Sequence, residues 1–208
     1  MKLYLSSFHL GDKTDRLKSW IDEVGDNKIF LIPNAMDVFP DGERKNESLL
    51  GSVKELEEVG FNVAMLDLKD YFGKKEKLQD KLKDAHTIFA RGGNAFALRL
   101  AMKFSGFDEY LIRKIGDDDL LYGSYSAGMC VLGPTMRGLE LVDDANIEPY
   151  GAHDIIWDGI GLIDFVPVPH FESDHPESEM ANGVVEYLQS HNTPYKTLRD
   201  GDVIIMEV

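Results

Sequence analysis

The strongest constraint on the fold is an alternation of short apolar segments with helical patterns over the first two-thirds of the chain. Strands are expected at residues 2–7, 28–33, 61–68, 86–90 and 120–125, and the segments between them carry apolar residues at helical spacing. Strand, helix and strand at this spacing predict right-handed βαβ units around a mostly parallel sheet. The expected fold class is therefore α/β, a three-layer α/β/α sandwich.

The last third of the chain has a different texture. Residues 161–171 predict a strand whose prolines place it at an edge or at a strand end, residues 177–189 predict a helix, and Asp200-Gly201 predicts a hairpin. Residues 134–160 show only weak periodicity. No linker or repeat divides the 208 residues, so a single domain spanning 1–208 is expected.

Charge and cysteine content exclude several classes of partner. The chain carries 22 basic and 37 acidic residues, a net charge of −15, and its basic residues are scattered, so nucleic acid and anionic membranes are not expected partners. No apolar run approaches the roughly 18 residues that cross a bilayer. The single cysteine, Cys130, rules out an internal disulfide and suits the cytoplasm.

The segment Ser124-Tyr125-Ser126-Ala127-Gly128 joins a predicted strand to a predicted helix. Small residues around Ser126 fit the pattern G-x-S-x-G, in which a sharp turn lifts a nucleophilic serine clear of the sheet; here Ser124 replaces the first glycine. A serine at this position could also simply cap the helix. The segment predicts a nucleophile only if other parts of the chain supply its partners.

Two other segments supply candidate partners. Gly92-Gly93 ends the preceding predicted strand, where the backbone can approach a substrate, so the amides of Gly93 and Ala127 are candidate oxyanion donors. His170 ends a proline-stiffened strand and is the best placed of six histidines to act as base, ahead of His153 and His175. Acidic residues between the serine and the histidine are candidates for the third member of a triad: Glu140, Asp143, Asp144 and Asp154.

Neither a metal nor an organic cofactor is expected. The sequence contains no H-E-x-x-H motif and no histidine cluster at ligand spacing, and "RGGNAF" lacks the G-x-G-x-x-G spacing of a dinucleotide site.

Three segments, "RGGNAFAL", "YSAGMCVLGPTMR" and "VPVPHF", together resemble the peptidase E family of serine peptidases, whose motifs read G-G-N-x-F, x-S-A-G and P-H-F. The order and spacing are similar over essentially the whole chain. The resemblance implies a fold like that of class I glutamine amidotransferases, with serine in place of their cysteine, and a Ser-His-acid triad. It implies a serine peptidase that hydrolyses short peptides through an acyl-enzyme.

By position, the resemblance assigns Ser126 as nucleophile, His170 as base and Gly93 as the oxyanion glycine. The acid of the triad matches Asp143 or Asp144 after a shift of register, and Glu140 is the next candidate. Known members cleave dipeptides that begin with aspartate, and such an acidic substrate would need a local cation in so acidic a protein. Arg91 and Arg137 are the candidates for that role, since they are near the motifs in sequence.

Three alternatives remain open on the sequence. An α/β-hydrolase esterase has the same Ser, acid, His order but usually a longer chain after the nucleophile. An amidotransferase-like enzyme could use Cys130, although that thiol lies one helical turn beyond Ser126 and is expected in the core. Finally, the turn could be purely structural, in a non-catalytic binding domain.

Overall fold

A computed structural model describes residues 1–208 as eight strands and seven α-helices. The strands are β1 (Lys2–Ser6), β2 (Lys28–Ile32), β3 (Asn62–Met65), β4 (Thr87–Ala90), β5 (Leu121–Tyr125), β6 (Val166–Val168), β7 (Tyr195–Thr197) and β8 (Val203–Glu207). The helices are α1 (Thr14–Val24), α2 (Glu43–Val59), α3 (Lys75–Leu82), α4 (Ala95–Ser105), α5 (Phe107–Arg113), α6 (Ala127–Cys130) and α7 (Ser178–Ser190). None of the helices combines the length and the apolar character that crossing a bilayer requires.

Six strands form the main sheet in the order β3-β2-β4-β5-β1-β8. The first five are parallel to one another, and β8 pairs antiparallel with β1 at the edge. The predicted α/β fold with a mostly parallel sheet is confirmed.

Alternate residues of the strands face two apolar layers. On β2, Phe30 and Ile32 belong to a cluster of 41 buried residues, whereas Ile29 and Leu31 belong to a second cluster of 12. The larger cluster includes residues of α3 to α7, and the smaller one includes residues of α1 and α2. Because every second side chain of a strand points to the same face, this partition places helices on both sides of the sheet.

The last third departs from the predictions in two places. The strand expected over 161–171 is reduced to β6, which pairs with β7 in a separate two-stranded sheet where both strands are edges. The turn at Asp200-Gly201 connects that small sheet to β8 in the main sheet, so it is a crossover between sheets and not a hairpin. The helix predicted at 177–189 is present as α7.

The carboxyl ends of three neighbouring strands meet at one edge of the sheet. Ala90 pairs with Ser124, and Ser6 pairs with Tyr125, so β4, β5 and β1 end side by side. Strand β8 runs the other way and begins at the same edge, with Val203 opposite Ser6. The segments that follow β4, β5 and β1 and the segment that precedes β8 are therefore brought together.

Candidate active site

Ser126 occupies the sharp turn between β5 and α6. Its backbone angles are φ 47 and ψ −119, a region that residues other than glycine rarely adopt. Its N–H donates to the carbonyl of Ser6 at 3.2 Å, which fixes the turn against β1. Between Leu120 and Gly133, Ser126 is the one residue that is not buried. The turn thus presents this hydroxyl outside the packed core.

Close packing explains the small residues around the turn. A Cβ on Gly128 would lie 2.3 Å from the carbonyl oxygen of Ala90, and one on Gly92 would lie 2.7 Å from the ring of Tyr125. A larger residue at Gly128 would require the backbone to move, and one at Gly92 would require the buried Tyr125 ring to move. Helix α6 has only four residues, so the individual amides at its start, rather than a helix dipole, face the space beside Ser126.

Two amides beside Ser126 have no partner in the protein. The N–H groups of Gly93 and Ala127 make no hydrogen bond to another protein atom, and both residues line the cavity that contains Ser126. Gly93 has φ +141, and a Cβ there would lie 2.5 Å from the carbonyl oxygen of Ala35. Glycine is therefore required at this position, and its free amide is available to an anionic oxygen.

His170 is held on one side by a carboxylate that the sequence did not single out. Its Nδ1 lies 2.7 Å from Oδ1 of Asp200, and since a carboxylate only accepts, Nδ1 carries the proton and Nε2 has a free lone pair. Ser7 connects the two residues: its Oγ accepts the His170 N–H at 2.9 Å and lies 3.0 Å from the same Asp200 oxygen. The backbone N–H of Asp200 donates to Ser173 at 2.8 Å.

Burial lowers the pKa of His170 below its ordinary value, and the charge of nearby His175 lowers it further, while Asp200 and Glu177 oppose the shift. The ring is therefore neutral at neutral pH, the state in which Nε2 can accept a proton.

Ser126 and His170 line the same narrow cavity, of about 30 Å³, together with Gly93 and Ala127. The Ser126 hydroxyl makes no hydrogen bond to the ring, and Nε2 lies 3.8 Å from a carboxylate oxygen of Glu177. Catalytic hydrogen bonds are often long in the absence of substrate. Both residues border this one cavity.

The expected acids lie elsewhere. Asp143 also lines the cavity, but its Oδ2 accepts the N–H of Ala95 at 2.7 Å, at the start of α4. Asp144 is exposed and accepts the N–H of Asn146, and Glu140 accepts the N–H of Gly138. None of the three is bonded to the His170 ring. The carboxylate at Nδ1 is Asp200, because β8 returns antiparallel beside β1 and carries the preceding turn to this edge.

Asp143 has an unusual environment of its own. Burial and the charge of Glu177 raise its pKa to about 7, although the Ala95 N–H acts in the opposite direction. The cavity beside Ser126 thus contains two acidic side chains, Asp143 and Glu177, amid apolar residues.

The two candidate substrate cations are not in this cavity. Arg137 is exposed, with its guanidinium 4.7 Å from the centre of the Trp157 ring, so the structure places it outside this cavity. Arg91 is buried, and its Nη2 donates to Ser48 Oγ at 2.8 Å. Neither residue lines the space that holds Ser126.

Cys130, His153 and His175 are the other reactive groups that the sequence offered as candidates. Cys130 is buried, and burial raises the pKa of its thiol, as do the charges of Asp143 and Glu177, so it is a protonated residue of the core. His153 bonds to the carbonyl of Gly151. His175, expected in a solvated turn, instead stacks on His170 with ring centres 3.7 Å apart.

One group of side chains has the spacing of metal ligands. His170, His175 and Glu177 each offer a ligand atom, and these atoms lie within 4.8 Å of one another. This group could not be predicted from the sequence, because stacking of His175 on His170 is a tertiary contact. An ion held there would occupy Nε2 of His170, the atom that a base needs.

A serine on a strand-to-helix turn, two free amides beside it and a histidine bonded to an aspartate are the parts of a serine hydrolase site on an α/β fold. The fold and the site together therefore have the features of the serine hydrolase class. The chain belongs to peptidase family S51, whose family model matches residues 3–207. This is the peptidase E family of serine peptidases, as the three sequence segments indicated.

Individual relatives agree with this membership. Peptidase E of Streptomyces coelicolor is 27% identical over 132 residues, which are 61% of this chain and 51% of that protein, so the match spans about half the length of this curated relative. A structure assigned provisionally to peptidase E, from Listeria monocytogenes EGD-e, has a TM-score of 0.75 at 21% identity and covers 100% of this chain and 98% of that one. The structure of a peptidase from an acI-B1 Actinobacterium has a TM-score of 0.68 at 16% identity, covering 99% and 83%. These two structures support the fold.

Proposed function

We propose that the protein is a serine peptidase that hydrolyses short peptides through an acyl-enzyme, with Ser126 as nucleophile, His170 as general base and Asp200 as the acid. Ser126 Oγ attacks the scissile carbonyl carbon while Nε2 of His170 takes its proton. The protonated ring then donates to the leaving amine, and water repeats the sequence to release the acyl group. Gly93 and Ala127 donate their N–H groups to the oxyanion, each worth about 3 kcal/mol of barrier.

The contact between His170 and Asp200 is the observation that carries this proposal. An aspartate at 2.7 Å from Nδ1 fixes the tautomer and stabilises the imidazolium that forms during the reaction. A histidine that served only in packing would not be expected to combine an aspartate at Nδ1 with an Nε2 that faces a cavity without a hydrogen bond. Membership of family S51 gives independent support for peptide substrates.

The test compares wild type with Ser126→Ala on a set of dipeptides and on a simple ester. We expect Ser126→Ala to lose at least about 10³-fold in kcat on every substrate. Ser124→Ala is the matched control, since Ser124 is a buried serine two residues away whose Oγ has no hydrogen-bond partner. Full activity in Ser126→Ala would refute the assignment of the nucleophile, and cleavage of the ester alone would favour an esterase.

The preference for aspartate at the amino terminus is a separate question, and the charges near Ser126 argue against it. An acyl-side aspartate would enter a cavity that contains Asp143 and Glu177 and no cation. Like charges at this range oppose binding. We therefore propose that the acyl-side residue is neutral, in contrast to the aspartate that the family resemblance implied.

Measuring kcat/KM for Asp-Leu, Asn-Leu and Ala-Leu tests this specificity. Asn-Leu has nearly the shape of Asp-Leu without its charge, so the pair isolates the electrostatic contribution. We expect Asn-Leu and Ala-Leu to be hydrolysed faster than Asp-Leu; the reverse order would restore the aspartyl preference. The cytoplasmic location stays a prediction based on the single cysteine.

A further inference from the structure

Three side chains next to the candidate nucleophile offer ligand atoms to a single cation. A ring nitrogen of His170, a ring nitrogen of His175 and a carboxylate oxygen of Glu177 all lie within 4.8 Å of one another. Neighbouring ligand atoms around a tetrahedral Zn²⁺ are about 3.3 Å apart, so small side-chain movements would bring the three onto one ion. Two imidazoles and one carboxylate suit Zn²⁺ and other transition metals, whereas Mg²⁺ and Ca²⁺ take oxygen ligands.

The ring of His170 has the surroundings of a metal-bound histidine. Such histidines usually donate their second ring N–H to a carboxylate, which fixes the tautomer and leaves the other nitrogen to the ion. Nδ1 of His170 lies 2.7 Å from Asp200, and its Nε2 lies 3.8 Å from a carboxylate oxygen of Glu177. The free lone pair of His170 is therefore held close to a second carboxylate.

A groove gives a cation access to this position and attracts it. His175 and Glu177 line a groove of about 750 Å³, and Glu177 also lines the narrow cavity that contains Ser126 and His170. Acidic side chains outnumber lysine and arginine by three to two along the groove, and the narrow cavity contains Asp143 and Glu177 without either basic type. In a chain of net charge −15, the local charges therefore favour a cation over an anion.

Binding requires the ring of His175 to leave its present position. It is parallel to the ring of His170 within 10°, with centres 3.7 Å apart, and an ion in the plane of one stacked ring lies outside the plane of the other. Nδ1 of His175 also accepts the N–H of Glu177 at 3.2 Å. Because His175 is partly exposed and borders the groove, its ring has room to turn. Loss of the stack and of the hydrogen bond weakens binding to a dissociation constant of about 10 µM, well above that of structural zinc sites.

We propose that His170, His175 and Glu177 form an inhibitory site for a divalent transition-metal cation such as Zn²⁺, with Nε2 of His170 as one ligand. The ion inhibits rather than assists, because it occupies the lone pair that takes the proton of Ser126. Inhibition rests on the proposed function, in which His170 is the base, whereas binding of the ion does not depend on it. Three protein ligands leave the fourth tetrahedral position to water.

The kinetic test follows hydrolysis of Ala-Leu, at a concentration below KM, as Zn²⁺ is added. We expect wild type to lose about nine-tenths of its activity at about 100 µM Zn²⁺, to recover it with EDTA, and to be unaffected by the same concentration of Mg²⁺. His175→Ala and Glu177→Gln, each compared with its own activity without Zn²⁺, should raise the half-inhibitory concentration at least about tenfold. His191→Ala removes an exposed histidine outside the group and should leave that concentration unchanged.

Calorimetric titration of Zn²⁺ into Ser126→Ala separates failure of this inference from failure of the proposed function. We expect the tightest site to bind one ion per chain, and addition of His175→Ala or Glu177→Gln to weaken it at least about tenfold. No binding, or binding that neither substitution changes, would overturn the inference and leave the peptidase assignment standing. Binding without inhibition of wild type would overturn the inhibitory role. If wild type hydrolyses no peptide, the proposed function fails, and the calorimetry alone decides whether these side chains hold the ion.

Discussion

Replacement of Asp143 by Asn should stabilise the protein, and more so as the pH rises. The side chain of Asp143 lines the cavity that also contains Ser126, where burial and the charge of Glu177 raise its pKa to about 7. Asparagine has nearly the same shape and keeps an oxygen that can accept the Ala95 N–H, now 2.7 Å from Oδ2. The substitution therefore removes the ionisation while preserving the hydrogen bond.

The size of the effect follows from the two pKa values. A carboxyl group with a pKa of 3.8 in the unfolded chain and about 7 in the folded protein lowers the free energy of unfolding by about 4 kcal/mol once both states are ionised. Because the folded pKa is the higher one, the stability is fully present below pH 3.8 and is lost as the pH rises through 7. About 2 kcal/mol of the loss falls between pH 5.5 and 8.5.

Urea unfolding of wild type and Asp143→Asn at several pH values from 5.5 to 8.5 measures this difference. The gap in unfolding free energy should widen by about 2 kcal/mol in favour of Asn across that range. Asp144→Asn is the matched control: Asp144 is an exposed neighbour, and it should show no such trend. A gap that stays constant with pH would mean that the Asp143 carboxyl is solvated, and the argument from burial would be wrong.

Three further predictions concern the candidate catalytic groups. Asp200→Asn should lower kcat by about 10⁴-fold with little change in KM, because an amide no longer enforces the reactive tautomer of His170; a change below tenfold would rule out Asp200 as the acid of the triad. The kcat/KM profile should rise with pH and reach half its maximum below pH 6.5, since the pKa of His170 is lowered by burial, and a midpoint above 7 would contradict this. Ser7→Ala should lower the unfolding free energy by about 1–3 kcal/mol and shift that midpoint, because Ser7 accepts the His170 N–H and contacts Asp200; an unchanged profile would reduce it to a packing residue.

Features encoded by local sequence were predictable. The strand and helix patterns predicted the three layers of the sandwich, because a parallel sheet that is buried on both faces requires strongly apolar strand sequences. The turn at Ser126 was identifiable because close packing of Gly128 on the carbonyl of Ala90 restricts residue size at fixed offsets from the serine. Gly93 was identifiable for the same reason. In each case the contact is made with a distant segment, Ala90 or Ala35, but it restricts residue size at one fixed position of the turn and therefore appears as a motif.

Contacts between distant segments were not predictable in this way. The stacking of His175 on His170, and the enclosure of Arg91 behind Ser48, depend on how loops pack across the carboxyl edge of the sheet. Nothing in the periodicity around these residues distinguishes them from surface polar groups. Arg137 illustrates the converse, since its closeness in sequence to the turn suggested a role in the site, whereas its side chain lies on Trp157.

The position of Asp200, the carboxylate bonded to His170, shows which additional rule would have found it. The order of a hydrolase triad places the expected acid between Ser126 and His170, but β8 returns antiparallel to β1 and begins at the edge where the parallel strands end. Any carboxylate in the turn before such a strand is carried to the active-site edge, and Asp200 lies three residues before β8. A turn that precedes a terminal antiparallel strand should therefore be searched together with the ends of the parallel strands. The rule is geometric and applies whenever the last strand pairs beside the first strand of a parallel sheet.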